Sequence, residues 1–169
     1  RFKSGAKKKG AYFAFGSAES KTVVICEGYA TGASIAQATG HYIVVAFDAG
    51  NLLPVAERIR ANLPEGWDLI IAGDNDQWGS SNTGKDKTQA CAVATGARMV
   101  APDFTGYDTS QQPTDFNDLH QLAGLEAVQA QIDGAQALSP EQIEQVNAVP
   151  PETDEQVIER LAGLSALDY

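Results

Sequence analysis

Four short apolar runs recur along the chain with helical stretches between them: TVVIC from Thr22, HYIVVAF from His41, WDLIIAG from Trp67 and ARMVAP from Ala97. Each is rich in β-branched or large aliphatic residues and is apolar without alternation. That is the signature of strands buried on both faces of a parallel sheet. Between them, TGASIAQATG reads as a helix closed by Gly40. LLPVAERIRANL reads as a second, with Asn51 as its N-cap and Pro54 tolerable in its first turn, and KDKTQACAVATG as a third that ends at Gly96. Strand and helix alternating in this way predict an α/β fold with a mostly parallel four-stranded sheet flanked by helices.

Outside this rhythm, AYFAF near the N-terminus has the aromatic content of a short strand and reads as an edge strand or the remnant of a hairpin. TDFNDLHQLAG starts a further helix that LEAVQAQI carries to about Asp133, and AQALSPEQIEQVNAVPPETDEQ is polar, acidic and proline-bearing, the composition of a linker. VIERLAGLSALDY then places leucines at helical spacing. The expected division is 1–20 as the remnant of a preceding basic subdomain, 21–135 as the catalytic domain, and 136–169 as an acidic linker and the start of a helical segment.

The net charge of −10 argues against a chain that grips nucleic acid through its overall field. The charge is unevenly spread, however. Arg1, Lys3, Lys7, Lys8 and Lys9 fall in the first ten positions, while residues 139–169 hold seven acids against Arg160 alone. With no long apolar segment the chain is expected to be soluble and cytoplasmic, without a membrane partner. Cys26 and Cys91 stand far apart and form neither a disulfide framework nor a zinc knuckle.

In open parallel sheets the ligand crevice lies at the carboxyl ends of the strands. Glu27 directly follows VVIC, Asp48 follows VVAF, and Asp74 and Asp76 follow LIIAG in the sequence GDND. A DxD pair on such a turn can aim two carboxylates at one point, which suits a hard dication with oxygen ligands: Mg²⁺, with Mn²⁺ as a substitute. Glu27 could complete the shell or act as a general base. A lone DxD also caps helices or sits solvated, but a glutamate ending one buried strand and GDND ending another is a more demanding coincidence. Asp48 reads as stabilising the turn into its helix.

Lys85 and Lys87 read equally well as phosphate contacts or as solvated charges at a helix start. Trp78, in the polar loop beside GDND, could stack a base, whereas Trp67 reads as core. His41 and His120 have no partner at metal-ligand spacing. GSSNTGKD from Gly79 nearly spells a P-loop but places Asp86 where Ser or Thr is needed.

CEGYATG, GDND, AFDAGNL and TDFNDLH, in this order and placement, resemble the Toprim domain shared by primases, topoisomerases and some nucleases, and within it the primases of conjugative plasmids and satellite phages. The resemblance spans about Gly10 to Asp133. It implies that Glu27 is a general acid or base, that Asp74 and Asp76 bind Mg²⁺, that Asp115 is a further acid of the metal site, and that Gly28 lets backbone approach the site. The implied activity is RNA primer synthesis on single-stranded DNA from ribonucleotides, with a helicase module in the same parent chain. An isolated fragment of this kind is expected to prime weakly or not at all. One departure is that replicative primases place an aspartate four residues after the glutamate, where this chain has Thr31. A Toprim nuclease or topoisomerase-like enzyme, or a non-catalytic docking module with the same fold, is the alternative.

Overall fold

A computed structural model describes residues 9–79 and 83–148. The chain divides between Ser139 and Pro140 into two units. In the first, the elements run β1 (Phe13–Phe15), β2 (Thr22–Cys26), α1 (Tyr29–Thr39), β3 (Tyr42–Val45), α2 (Ala49–Asn62), β4 (Asp68–Ala72), α3 (Thr83–Thr95), β5 (Arg98–Val100) and α4 (Phe116–Asp133). The second contains α5 (Pro140–Ala148).

All four apolar runs are strands. They lie in one sheet of order β1-β3-β2-β4-β5, parallel throughout except for β1, which pairs antiparallel with β3. The α/β expectation of a parallel four-stranded sheet with a short N-terminal strand therefore holds. Side chains of β2, β3 and β4 alternate between two cores. Val24, Cys26, Ile43, Val45, Ile70 and Ala72 join Ile35 of α1 and Phe116, Leu119, Val128 and Ile132 of α4 on one face. Val23, Ile25, Val44, Leu69 and Ile71 join Leu52, Val55 and Ala56 of α2 and Cys91 of α3 on the other. Burial on both faces is why β2, β3 and β4 are apolar at every position after the first.

The order of the strands positions the site. From β2 the chain steps outward to β3, then returns across β2 to place β4 on its other side, so β2 and β4 flank a topological switch point. Their last paired residues are Cys26 and Ala72. Glu27 and the GDND loop both leave the sheet there.

Three local features differ from the sequence reading. The cap of α2 is Asp48, whose side chain accepts the Asn51 N–H at 3.0 Å, and the helix begins at Ala49. Pro54 consequently lies in the second turn, where it withholds an N–H from the helix. Asn51 instead spends its buried amide on long-range bonds. Its Oδ1 accepts from Gly10 N at 2.7 Å, and its Nδ2 donates to Ala11 O at 2.7 Å and to Ala46 O at 2.8 Å. The helix at TDFNDLHQLAG extends to Asp133 as expected but is interrupted at Gly124, where φ is 82° and ψ is 175°.

The third difference is α5, which lies inside the segment whose composition suggested a linker. Pro140 at its first position suits a helix start, since the missing N–H would have had no partner there. The leucine-bearing segment from Val157 lies outside the described residues. Among the described residues no helix is long and apolar enough to cross a membrane.

Candidate metal centre

Each acid singled out from the sequence leaves an element at the switch-point end of the sheet or caps a helix that packs there. Glu27 follows β2, and Gly28 is the extended N-cap residue of α1. Asp74 and Asp76 follow β4, on a loop held by Asn75 between them. The Asn75 N–H donates to Thr114 O at 2.8 Å and its side-chain Nδ2 donates to Pro102 O at 2.9 Å. Those bonds bring the GDND loop alongside the TDFND segment. Asp115 opens α4 with a reciprocal capping box: its Oδ1 accepts the Asp118 N–H at 2.8 Å, and Asp118 Oδ2 accepts the Asp115 N–H at 3.4 Å.

The first turn of α3 presses on the same loop. A Cβ added to Gly84 would stand 2.9 Å from Asp74 O and 3.0 Å from Asp76 Oδ2, so only glycine allows this approach. A carboxylate against a helix N-terminus also meets the positive end of its dipole. Lys85 and Lys87 lie on α3, in the turns nearest this loop. Trp78 donates its indole N–H to Pro113 O at 2.8 Å and keeps its ring partly exposed, so it links the GDND loop to the start of TDFND a second time.

The electrostatics show how closely these groups are gathered. Burial pushes the Asp74 carboxyl up to about 7, reinforced by the charges of Glu27, Asp115, Asp76 and Asp118. Burial likewise raises Glu27; the ammonium of Lys87 opposes this, and Asp76 and Asp48 add to it. The Cys26 thiol beneath is raised far above its ordinary range by burial and then by Asp74, Asp115 and Glu27. Six acids, Glu27, Asp48, Asp74, Asp76, Asp115 and Asp118, thus act on one another around the ends of the strands.

Buried polar oxygens normally have partners. Here Glu27 Oε1 and Asp74 Oδ1 are buried with no hydrogen-bond partner among the described residues. Orphaned carboxylate oxygens among like charges are the donor chemistry that a hard dication satisfies, so the residues fit Mg²⁺ or Mn²⁺. Among the described residues no group of three or more His, Cys, Asp or Glu side chains is placed to hold a metal ion as it stands.

A profile of the Toprim domain matches residues 22–126. This chain belongs to the Toprim family. Two relatives, each named DNA primase TraC of Escherichia coli, are 40% and 39% identical to it in alignments 112 residues long that cover 62% of this chain. The Toprim chain spans 8% of the length of the first relative and 10% of the second. Both relatives bear out the resemblance to primases read from CEGYATG, GDND, AFDAGNL and TDFNDLH.

The scaffold of this Toprim site does not stand out in the sequence. Asn75 is inconspicuous between two acids, although an amide in that position can satisfy backbone groups on both sides. Thr31 stands out in the sequence only as a departure, yet its hydroxyl donates to Asp115 Oδ2 at 2.5 Å.

Proposed function

We propose that this Toprim domain is the catalytic part of a plasmid- or phage-type DNA primase and carries out Mg²⁺-dependent nucleotidyl transfer in RNA primer synthesis. The observation that carries the reading is the buried Asp74 oxygen without a partner, beside Glu27 and within the field of three further acids. Asp74, Asp76 and Glu27 would hold the ion, with Asp115 as a further acid of the site. A bound Mg²⁺ supplies charge neutralisation to phosphate oxygens.

The side chains of this chain then divide the remaining work. The raised affinity of Glu27 for a proton suits it to take the proton of a primer 3′-hydroxyl as that oxygen attacks the α-phosphorus of an incoming ribonucleotide and pyrophosphate leaves. Lys85 and Lys87, on the first turns of α3, are suited to phosphate oxygens. The exposed face of Trp78 is suited to stacking a base of single-stranded DNA or of the nucleotide. Gly28 leaves backbone space beside Glu27. A helicase module in the same parent chain and a cytoplasmic setting belong to this proposal as well.

Calorimetric titration of Mn²⁺ and Mg²⁺ into the wild-type chain and into a variant carrying Asp74→Ala with Asp76→Ala tests the metal. Binding by the wild type that is lost in the variant supports the reading. No uptake by the wild type would leave a non-catalytic docking module. In the longer parent, Glu27→Gln should lower primer synthesis about a hundredfold or more. Cleavage of DNA in place of primer extension would favour a nuclease or topoisomerase-like enzyme.

A further inference from the structure

Thr31, in the first turn of α1, is only 1% exposed. Its hydroxyl reaches across 84 positions of sequence to donate to Asp115 Oδ2 at 2.5 Å. A hydroxyl bonded to an ionised carboxylate makes one of the stronger hydrogen bonds a neutral donor can form. Asp115 Oδ1 accepts the Asp118 N–H, so each oxygen of this carboxylate has a donor and its plane is held from two sides. Glu27 and Asp74 differ in kind, because each has a buried oxygen with no partner among the described residues.

Gly28 belongs to the same arrangement. A Cβ there would stand 3.1 Å from Thr31 Oγ1, tighter than an ordinary contact, so glycine directly after Glu27 preserves the room in which the hydroxyl sits. A continuous chain of contacts therefore runs from the Glu27–Gly28 corner through Thr31 to Asp115.

We infer that Thr31 is a positioning residue of the metal site: its hydroxyl holds Asp115 in a fixed orientation near Asp74, so that Asp115 contributes charge while Glu27, Asp74 and Asp76 are the direct oxygen donors. This rests on the metal reading proposed above and sorts its four acids into two kinds. The two firm donors on Asp115 leave it less available than Glu27 or Asp74 to turn toward an ion. Its negative charge is nevertheless felt at Asp74 and at Cys26. Residues that orient a metal site from behind its ligands commonly change affinity without touching the ion.

The test is Mn²⁺ affinity, followed by electron paramagnetic resonance of the free ion and by calorimetry, with thermal melts as a separate measure of folding. Thr31→Val keeps the shape and removes the donor, and Thr31→Ser restores it. Thr31→Val should weaken Mn²⁺ binding about tenfold, Thr31→Ser should recover most of that loss, and in an Asp115→Asn background Thr31→Val should add nothing. Should Thr31→Val not fold, Thr31→Ala passes through the same comparisons.

If wild type takes up no Mn²⁺, the metal reading falls and this inference with it. If wild type binds but Thr31→Val binds equally well, Thr31 is a staple between α1 and α4 and only the inference falls. It falls too if Thr31→Ser is as weak as Thr31→Val, or if Thr31→Val weakens the Asp115→Asn chain further.

Discussion

The backbone N–H of Asn75 donates to the carbonyl of Thr114 at 2.8 Å, joining the loop after β4 to the residue just before the cap of α4. Its side chain adds a second tie to Pro102. Two acidic loops distant in sequence are thereby kept in register by an uncharged residue that sits between two acids.

Asn75→Ala keeps the backbone bond and removes the amide that serves Pro102 O. The expected cost is about 1–2 kcal/mol in urea unfolding, the usual result of leaving a partly buried acceptor without its donor. A several-fold loss of Mn²⁺ affinity should accompany it. Unchanged affinity in a folded variant would show that the loop holds its shape without this tie.

Asp74 gives the metal-free chain a distinctive pH dependence. Its carboxyl is raised from 3.8 to about 7 on folding, so the folded state binds a proton more tightly than the unfolded chain does. Stability contributed by this group is thus full below the unfolded value and declines as pH rises through about 7. Melting temperature in chelator should fall between pH 5 and pH 8 by a few degrees, on the order of 1–2 kcal/mol after allowing for partial solvent exposure. Asp74→Asn should flatten that decline, and Mg²⁺ should stabilise the wild type more at pH 8 than at pH 6. A wild-type melting temperature that rises across the window would contradict the assignment.

Gly84→Ala brings opposing effects to one position. Alanine favours a helix over glycine by about 1 kcal/mol, but the added carbon would crowd Asp74 O and Asp76 Oδ2 at 2.9 and 3.0 Å. Crowding against backbone outweighs propensity, so a net loss of about 1–2 kcal/mol is expected. The displaced GDND loop should bind Mn²⁺ less tightly. A more stable variant with wild-type affinity would mean the loop yields freely.

Asn51→Ala removes three hydrogen bonds from a residue that is 3% exposed. Gly10 N, Ala11 O and Ala46 O lose their partner together, for an expected cost of about 2–3 kcal/mol. Amide exchange measured by mass spectrometry should quicken in β1 well before it does in β2. Uniform exchange across the sheet would show that β1 is held by its pairing with β3 alone.

The parallel strands were legible because burial on both faces leaves an unbroken apolar run, and Glu27, Asp74 and Asp76 were legible because they end such runs. Asn51 was misread because an amide before a helical stretch looks like a cap, and nothing local reveals that it reaches residues 40 positions away. A cap at Asn51 would put Pro54 in the first turn, whereas the cap at Asp48 puts it in the second. In α5 the charge and proline content hid the helix, since Pro140 followed by Glu141 serves a helix start as well as it serves a linker. The Thr31 to Asp115 bond spans 84 positions, and no pattern in a single chain announces a contact at that range.

β4 carries an indole beyond each end. Trp67 packs against the core beneath α2 and α3, while Trp78 is fastened to Pro113 on the acidic side. The chain contains two tryptophans in all, so its tryptophan emission is the sum of one half-buried reporter packed against the core and one beside the loops. Replacing either by phenylalanine would separate the two signals, and the domain could then be followed by light alone, without a dye or a label.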